Sequence, residues 1–509
     1  MVGAGPTGLA AAVLLAQDGV NVVVLERHAA PYPLPRGVHL DDEVHRVLQR
    51  LGVADDFARL SRPASGMRLL DASHRVLAQF RRAPGAGVHG WPQANLFDQP
   101  DLEALLRGRL AALGVPVRCG AEVLRVGPTV AYRQDGVTTE LAAAAVLACD
   151  GAASPVREAL GLGWRVLGPA QPWMVVDVRT ASPLQVWDGV DQVCDPERPA
   201  TFLRVGPERY RVELRLRAGE SADDRLAEVG LAGLLEPWTG SPPPDDLEVL
   251  RVGEYVFRAG VARRWRQGRV LLLGDAAHLT PPFTGQGLGA GLRDADDVSW
   301  KLVRVLRDGA PEALLDTYQQ ERAPHARSLV RLAVLVGRLM TAGGPRSAPP
   351  RRLLLRVLPL VPGLRARVLD SATPPRRSGP LAGRAPVGRL LPQPRVRGRR
   401  LDDLLGTGFA VLTRVPPDPA LRDLARALRA PLLGLGVPVH GVVALDDDAA
   451  LVPGATAVVV RPDRAVLAVA RTASPGAELL RTRAAALALV GASPGRVTQH
   501  GATGVEAPP

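Results

Sequence analysis

Apolar runs, helical stretches and glycine turns follow one another closely at the start of the chain. Leu9 to Asp18 is almost entirely apolar and reads as a buried helix. Asn21 to Glu26 is the continuous apolar run expected of a parallel strand buried on both faces. With Val2 to Gly8 as the end of a strand turning into that helix, the pattern predicts a βαβ unit. Only Met1 and Val2 precede the glycines, where a strand of about five or six residues is usual. In a doubly wound sheet this strand would be central, so its shortness predicts unpaired backbone groups on its neighbours. A start codon placed too far downstream, or a truncated and poorly folding chain, would account for it.

Further along, Asp41 to Leu51 and Gln99 to Leu113 carry the helical period, and Gly114 stops the second. Val115 to Val126 and Val130 to Leu147 read as strands of a hairpin-rich layer, and Trp164 to about Val256 as alternating strands with Pro and Gly turns. Arg269 to Leu273 is a short buried strand, and Gly287 to Leu306 a long helix. From Thr341 to Arg400 the chain is rich in Pro, Gly and Arg, which predicts helix remnants and a linker. The last stretch alternates strands (Phe409 to Thr413, Ala457 to Arg461, Val466 to Ala470) with helices (Ala420 to Arg429, Ala477 to Val490), as a small α/β domain would.

The length of 509 residues predicts about two to four domains. A formal net charge of +12 raises the question of nucleic acid, but the basic residues are nearly all Arg, spread through every segment and often beside Asp or Glu. No clustered basic stripe with stacking aromatics is present, so nucleic-acid binding is not expected. Cys119, Cys149 and Cys194 lie far apart with no metal-ligand spacing, which fits a reducing compartment and no metal site. The apolar stretches Leu329 to Met340 and Leu353 to Leu364 are interrupted by Arg338, Arg356, Pro359 and Pro362, short of the roughly 18 uncharged residues of a membrane span. A cytoplasmic protein is expected.

Three segments carry the chemistry. In Gly3-Ala-Gly-Pro-Thr-Gly8, the glycines Gly3, Gly5 and Gly8 fit a dinucleotide fingerprint: one for a tight turn, one for close approach to a pyrophosphate, one for helix packing. Glu26 ends the next strand, where a carboxylate can bind ribose hydroxyls; an ordinary surface Glu is the plainer alternative. Arg36 follows the Pro31 to Pro35 loop and is placed to neutralise phosphates, and Gln99 can bond a ribityl chain or simply cap its helix. The second segment is Cys149-Asp150-Gly151, a sharp turn after an apolar strand, where Asp is common for structural reasons alone. In the third, Gly274-Asp-Ala-Ala-His278 running on to Gly287, a buried strand delivers Asp275 at its carboxyl end, where open α/β sheets place ligands. Pro281-Pro282 makes a stiff wall, and Gly285, Gln286 and Gly287 open a helix whose bare amides favour developing negative charge.

In this order the segments resemble the single-component FAD-dependent aromatic hydroxylases. Arg36 to Glu43, Pro281 to Asp294, Ser299-Trp-Lys-Leu302 and Asp316 to Arg322 look most like the 3-(3-hydroxyphenyl)propionate hydroxylase branch. The resemblance covers about residues 1 to 330. It implies a Rossmann-type FAD-binding domain (1–70, 98–163 and 257–326) interleaved with a mixed β-sheet substrate domain (71–97 and 164–256). A helical, Pro-rich connector (327–400) and a thioredoxin-like α/β domain without cysteines (401–509) would follow. Gly3, Gly5, Gly8, Glu26, Arg36, Gln99, Asp150, Asp275, Pro282, Gly285, Gln286 and Gly287 are the implied FAD contacts. Ala152-Ala153 departs from the family's usual Arg after Asp-Gly, and Gly289 replaces a common Asn.

The resemblance implies hydride transfer from NADH or NADPH to FAD, O2 addition to give a C4a-hydroperoxyflavin, and hydroxylation of a phenol ortho to its hydroxyl. Such an enzyme would serve aromatic compound catabolism. A 3-(3-hydroxyphenyl)propionate-type compound is the expected substrate, and the reading allows a homodimer. His39, Asp41, His278 and Pro281 are the catalytic candidates. Competing readings are a polyketide or antibiotic-tailoring hydroxylase and, from another class, a non-catalytic FAD-binding protein. A flavin-dependent halogenase is disfavoured, since no Trp-x-Trp pair is present.

Overall fold

The computed structural model describes residues 1–31, 37–82, 84–240, 242–341, 379–396, 398–435, 443–445 and 451–492. Arg36 and most of the expected connector lie outside the described residues. The chain divides into two compact units: Met1–Asp296 with Ala323–Pro374, and Asp297–Arg322 with Pro375–Pro509.

The first unit is built on the expected βαβ. Its helix spans Pro6–Gln17, and Gly8 through Leu15 are buried, which explains why the segment is apolar on every side. Pro6 stands in the first turn, where its missing N–H is no loss. The strand Val24–Glu26 pairs in parallel with Val117–Cys119, and Val146–Ala148 with Val270–Leu272. Val2 lies between these pairs, bridging Leu25 on one side and Ala148 on the other, both parallel. The Leu25 N–H donates to the Met1 carbonyl (2.9 Å) and the Cys149 N–H to the Val2 carbonyl (2.7 Å). The two residues before the glycines therefore satisfy the neighbouring donors that a missing strand would orphan.

Beside it lies a mixed eight-stranded sheet, in the order His278–Leu279, Glu248–Ala262, Trp164–Arg179, Arg209–Arg215, Ala200–Arg204, Val190–Val193, Gly66–Leu70, Val76–Arg81. All neighbours are antiparallel except Val190–Val193 and Gly66–Leu70. One correction concerns the stretch read as strands only: residues Ala222–Thr239 form a helix. Ser221 and Asp224 make a reciprocal capping box at its start. Gly230 breaks the helical backbone and Pro237 lies inside it, so turn-forming residues masked its period. The helix packs on one face of the sheet, with Met174, Val176, Phe202, Val212, Leu234 and Leu235 in a common apolar core.

In the second unit a five-stranded sheet runs in the order Val443–Leu445, Leu432–Leu435, Ala410–Thr413, Ala457–Val460, Val466–Ala470. The first three strands are parallel and the last two antiparallel, with helices Pro419–Leu428 and Pro475–Leu489. Its interior holds a charge cluster. Arg461 donates to Glu321 (2.8 Å), Asp297 (3.2 Å) and Asp463 (2.5 Å), while Lys301 donates to Asp297 (2.6 Å) and Glu321 (3.1 Å). Burial alone would make the Arg461 guanidinium easier to deprotonate, but Asp463, Glu321 and Asp297 outweigh it and hold the proton. No described helix is long and apolar enough to cross a membrane.

Removing one partner of a buried ionic cluster leaves charge without compensation. Arg461→Leu is expected to lower unfolding free energy by about 3 kcal/mol or more, read from denaturant unfolding of the variant against the parent chain.

Candidate active site

A cavity of about 430 Å³ opens between the glycine loop, the start of the helix Gly287–Arg307 and the inner face of the eight-stranded sheet. That volume lies in the range of cofactor and substrate sites. Gly5, Gly8, Gln99, Asp275, Pro282, Gly285 and Gly287 line it, as does His39.

The glycine loop works by contact distances. A Cβ on Gly8 would stand 2.1 Å from the Gly3 carbonyl oxygen, so the helix can only lie this close to the loop with glycine there. Gly3 has φ +97°, and its Cβ would stand 2.4 Å from the Cys149 carbonyl oxygen. Gly5 is different. Nothing lies within 4 Å of its Cβ position, and it caps the helix whose first amides have no intrahelical partner. A helix N-terminus beside open space is a cradle for an anionic group.

Several predicted residues make bonds within the frame around the cavity. Glu26 accepts from the N–H groups of Ala4 (2.6 Å) and His28 (3.0 Å), and it does not line the cavity. Asp150 accepts from the Ser154 hydroxyl (2.7 Å) and the Val156 N–H (3.0 Å), bracing the turn into Pro155–Ala159. Gln99 accepts from the Gly37 N–H (2.7 Å) and donates to Glu103 (2.8 Å), so it ties the segment after the Pro-rich loop to its own helix. Asp275 is the exposed carboxylate at the end of Val270–Leu272, on the cavity wall.

Of the four catalytic candidates, only His39 faces the cavity. Its Nδ1 lies 3.4 Å from the Gly285 carbonyl. Burial, helped by the nearby Arg82 charge and opposed by Asp41, pulls the imidazole pKa from its ordinary 6.5 down to about 4. Asp41 is instead buried: one oxygen caps the helix Asp42–Leu51 through the Val44 N–H (2.9 Å), the other accepts from Arg293 (2.5 Å). Arg293 also pairs with Glu43 (3.0 Å) and donates to Gln286 (3.1 Å), which directs the Gln286 amide away from the cavity lining. His278 is wholly buried; its Nε2 meets Asp294 at 2.7 Å, and the same carboxylate oxygen accepts from the Gly274 N–H (3.0 Å). Pro281 lies behind Pro282 and does not line the cavity. His278, Asp41 and Pro281 therefore do not line the cavity, and the bonds of Asp41 and His278 run to the helix Asp42–Leu51, Arg293 and Asp294.

Sequence reasoning missed the sheet's contribution. Trp173, Gln192, Arg211, Glu213, Arg251 and Tyr255 all line the cavity. The signal was available in Arg209-Tyr-Arg-Val-Glu-Leu-Arg215, whose strict polar–apolar alternation marks one polar face. Alternation alone suggests solvent, whereas Arg211 is 1% exposed.

Residues 1–333 match the family described as "FAD binding domain". The chain belongs to the FAD-dependent aromatic hydroxylases. FAD with NADH or NADPH is its redox pair, and it is an aromatic-ring monooxygenase. A relative from Mycolicibacterium smegmatis named "3-(3-hydroxy-phenyl)propionate/3-hydroxycinnamic acid hydroxylase" is 36% identical, over 81% of this chain and 76% of that one. A Rhodococcus jostii protein named "Probable NADH-specific resorcinol 4-hydroxylase" is 33% identical over 97% of this chain and 96% of its own. Among solved structures, the anhydrotetracycline hydroxylase of Streptomyces rimosus superposes with a TM-score of 0.78 at 27% identity, covering 97% of this chain and 98% of that one.

The two glycines separate binding from folding. With both stripped of flavin, Gly5→Ala is expected to melt with the parent chain yet to rebind little flavin, whereas Gly8→Ala is expected to lose both stability and binding; thermal unfolding of the flavin-free proteins and bound flavin per chain after reconstitution read the difference. His39 gives a pH signature. Since its folded pKa lies below its unfolded value, the unfolded chain binds the extra proton between about pH 6.5 and 4, and stability falls as pH falls through that window. His39→Phe is expected to flatten the stability curve between pH 6.5 and 4, measured by urea midpoints at the two ends.

Proposed function

We propose that this enzyme hydroxylates a phenolic ring ortho to its hydroxyl, with the ring held between Pro282 and the inner face of the eight-stranded sheet. The observation that carries the reading is one continuous cavity joining the glycine-loop cradle to a wall of aromatic and polar side chains. Gly5 and Gly8, with the first amides of Pro6–Gln17, would hold the FAD pyrophosphate, with Gly3 and Glu26 fixing the loop's shape. Asp275, Gln99 and the amides at Gly285 to Gly287 would meet the rest of the cofactor, with Asp150 acting through the backbone it braces and Gln286 through the Arg293 side chain that it accepts from. FAD supplies the redox and oxygen-transfer chemistry when bound.

The chain's own part is to bind the ring, exclude water and handle the phenol proton. His39 is the proposed hydrogen-bond acceptor for the phenol hydroxyl, because its half-buried imidazole is neutral at neutral pH and offers the Nε2 lone pair when Nδ1–H donates to Gly285. Asp41, His278 and Pro281 would be positioning residues. 3-(3-Hydroxyphenyl)propionate is the first substrate to try, given the names carried by the relatives at 36% identity. The full-length likeness to an anhydrotetracycline hydroxylase supports a second reading, a multi-ring phenol of a tailoring pathway. The three cysteines, none of them in a disulfide, support a reducing, cytoplasmic setting.

The test is NADH and NADPH oxidation with O2 uptake by the FAD-loaded protein, with and without phenols. Phenol-stimulated oxidation with a product heavier by one oxygen, placed ortho by NMR, is the expected result. Flavin retention without stimulated oxidation by any phenol would instead favour a non-catalytic flavoprotein.

A further inference from the structure

The apolar part of the cavity wall is backed by a single helix. Met67, Trp173, Phe257 and Phe283 line the cavity. Trp173 and Phe283 also belong to a buried apolar cluster with Val336 and Met340, and Met67 and Phe257 pack against it. Val336 and Met340 lie near the end of the helix Ala313–Thr341, whose residues from Ala323 on belong to the first unit. Trp173 meets Phe283 edge-on, with ring centroids 5.7 Å apart at 71°, and lies 5.3 Å from the Phe257 ring, so the three rings constrain one another.

Phe283 has the cavity on one side and Gly337 of that helix on the other. A Cβ on Gly337 would stand 2.5 Å from Phe283 Cε2 and 2.6 Å from Cδ2, so any larger residue there must displace the ring. Glycine inside a helix costs about 0.5–1 kcal/mol relative to alanine, and here the aromatic ring occupies the notch that it leaves. The helix has little room to retreat. Three residues earlier, Val334 lies 3.0 Å from the Cβ position of Gly168, on the strand Trp164–Arg179 that also carries Trp173. Phe283 itself stands in the turn Pro282–Thr284, directly after the proline against which the substrate ring is placed.

We propose that Phe283 sets the width of the substrate end of the cavity and that Gly337, behind it, sets Phe283, so that a helix position outside the cavity lining determines how large a ring system the enzyme accepts. The inference rests on the phenol-hydroxylase reading and adds specificity-determining residues to it. Removing the ring opens the cavity toward the notch at Gly337. Filling the notch drives the ring the other way, into the cavity. The two changes therefore act on substrate size with opposite sign, which a general loosening of the wall would not do.

The test is titration of the FAD-loaded enzyme with phenol and 2-naphthol, read by the flavin difference spectrum, which needs no turnover. The measured quantity is the ratio of the two affinities within each protein, so a uniform loss of binding cancels. Phe283→Ala is expected to shift that ratio about tenfold toward 2-naphthol, and Gly337→Ala to shift it toward phenol by a similar factor, the scale of a small change of fit in an apolar pocket. Should Gly337→Ala fail to hold flavin, adding Phe283→Leu, which removes the clashing ring atoms, is expected to restore it. A ratio that moves the same way in both variants or stays unmoved in either, or a double variant that restores nothing, overturns the inference and leaves phenol hydroxylation standing. If neither ligand perturbs the flavin of the parent enzyme or of any variant, the phenol reading itself fails and takes the inference with it.

Discussion

The site depends on one backbone crossing. Gly3, Gly8 and the Cys149 carbonyl approach so closely that a Cβ on either glycine would fall within 2.4 Å of a carbonyl oxygen. This contact fixes where the helix Pro6–Gln17 begins relative to the strands Val24–Glu26 and Val146–Ala148, and so where its unpaired amides point. Gly5, between them, is left facing open space. The same short loop is thus rigid at two glycines and vacant at the third, and a dinucleotide site requires that combination.

The walls are held by buried charge. Arg293 gathers Asp41, Glu43 and Gln286, and so links the segment carrying His39 to the helix that starts at Gly287. His278 and Asp294 do the same for the turn at Gly274, where a single carboxylate oxygen receives both the imidazole and a backbone N–H. Such clusters contribute little net stability compared with apolar packing, but they discriminate strongly against misplacement because each broken partner leaves an uncompensated charge. Asp41 and His278, which look catalytic in the sequence, are members of these buried clusters. A His beside Asp-Ala-Ala, or an Asp heading a helix, has the chemistry of a site; burial and partners decide whether it faces one.

What could be read in advance follows from the range of the interactions concerned. The glycine loop, the strand ends at Glu26 and Asp150, and the helices Asp42–Leu51, Gln99–Ala112 and Gly287–Arg307 are set by local spacing, and their expected bounds lie within a residue or two of those observed. The lining by Gly5, Gln99, Asp275, Pro282 and Gly285 was legible too, since each belongs to a motif. The helix Ala222–Thr239 was not, because Gly230 and Pro237 interrupt the period by which a helix is recognised. The polar wall was hidden for a different reason. Gln192, Thr201 and Glu213 are adjacent only through the register of three consecutive antiparallel strands, and the alternation within any one strand does not report that register.

The two faces of that sheet carry the last step. In Arg209–Arg215, Tyr210, Val212 and Leu214 enter the apolar core under the helix Ala222–Thr239, while Arg211 and Glu213 turn toward the cavity. Period-two alternation normally divides core from water. Here both faces are shielded, so the polar face bears a desolvation cost that internal pairing only partly offsets: Asp177 pairs with Arg211 and Arg251, but the Arg251 Nε and the Gln192 amide oxygen are buried without a hydrogen-bond partner. A fold under selection for stability alone would fill such a wall with valine and leucine. Keeping it polar sets the character of the cavity wall: charged and amide side chains from three strands stand beside Trp173, Val175 and Leu203 on the same lining.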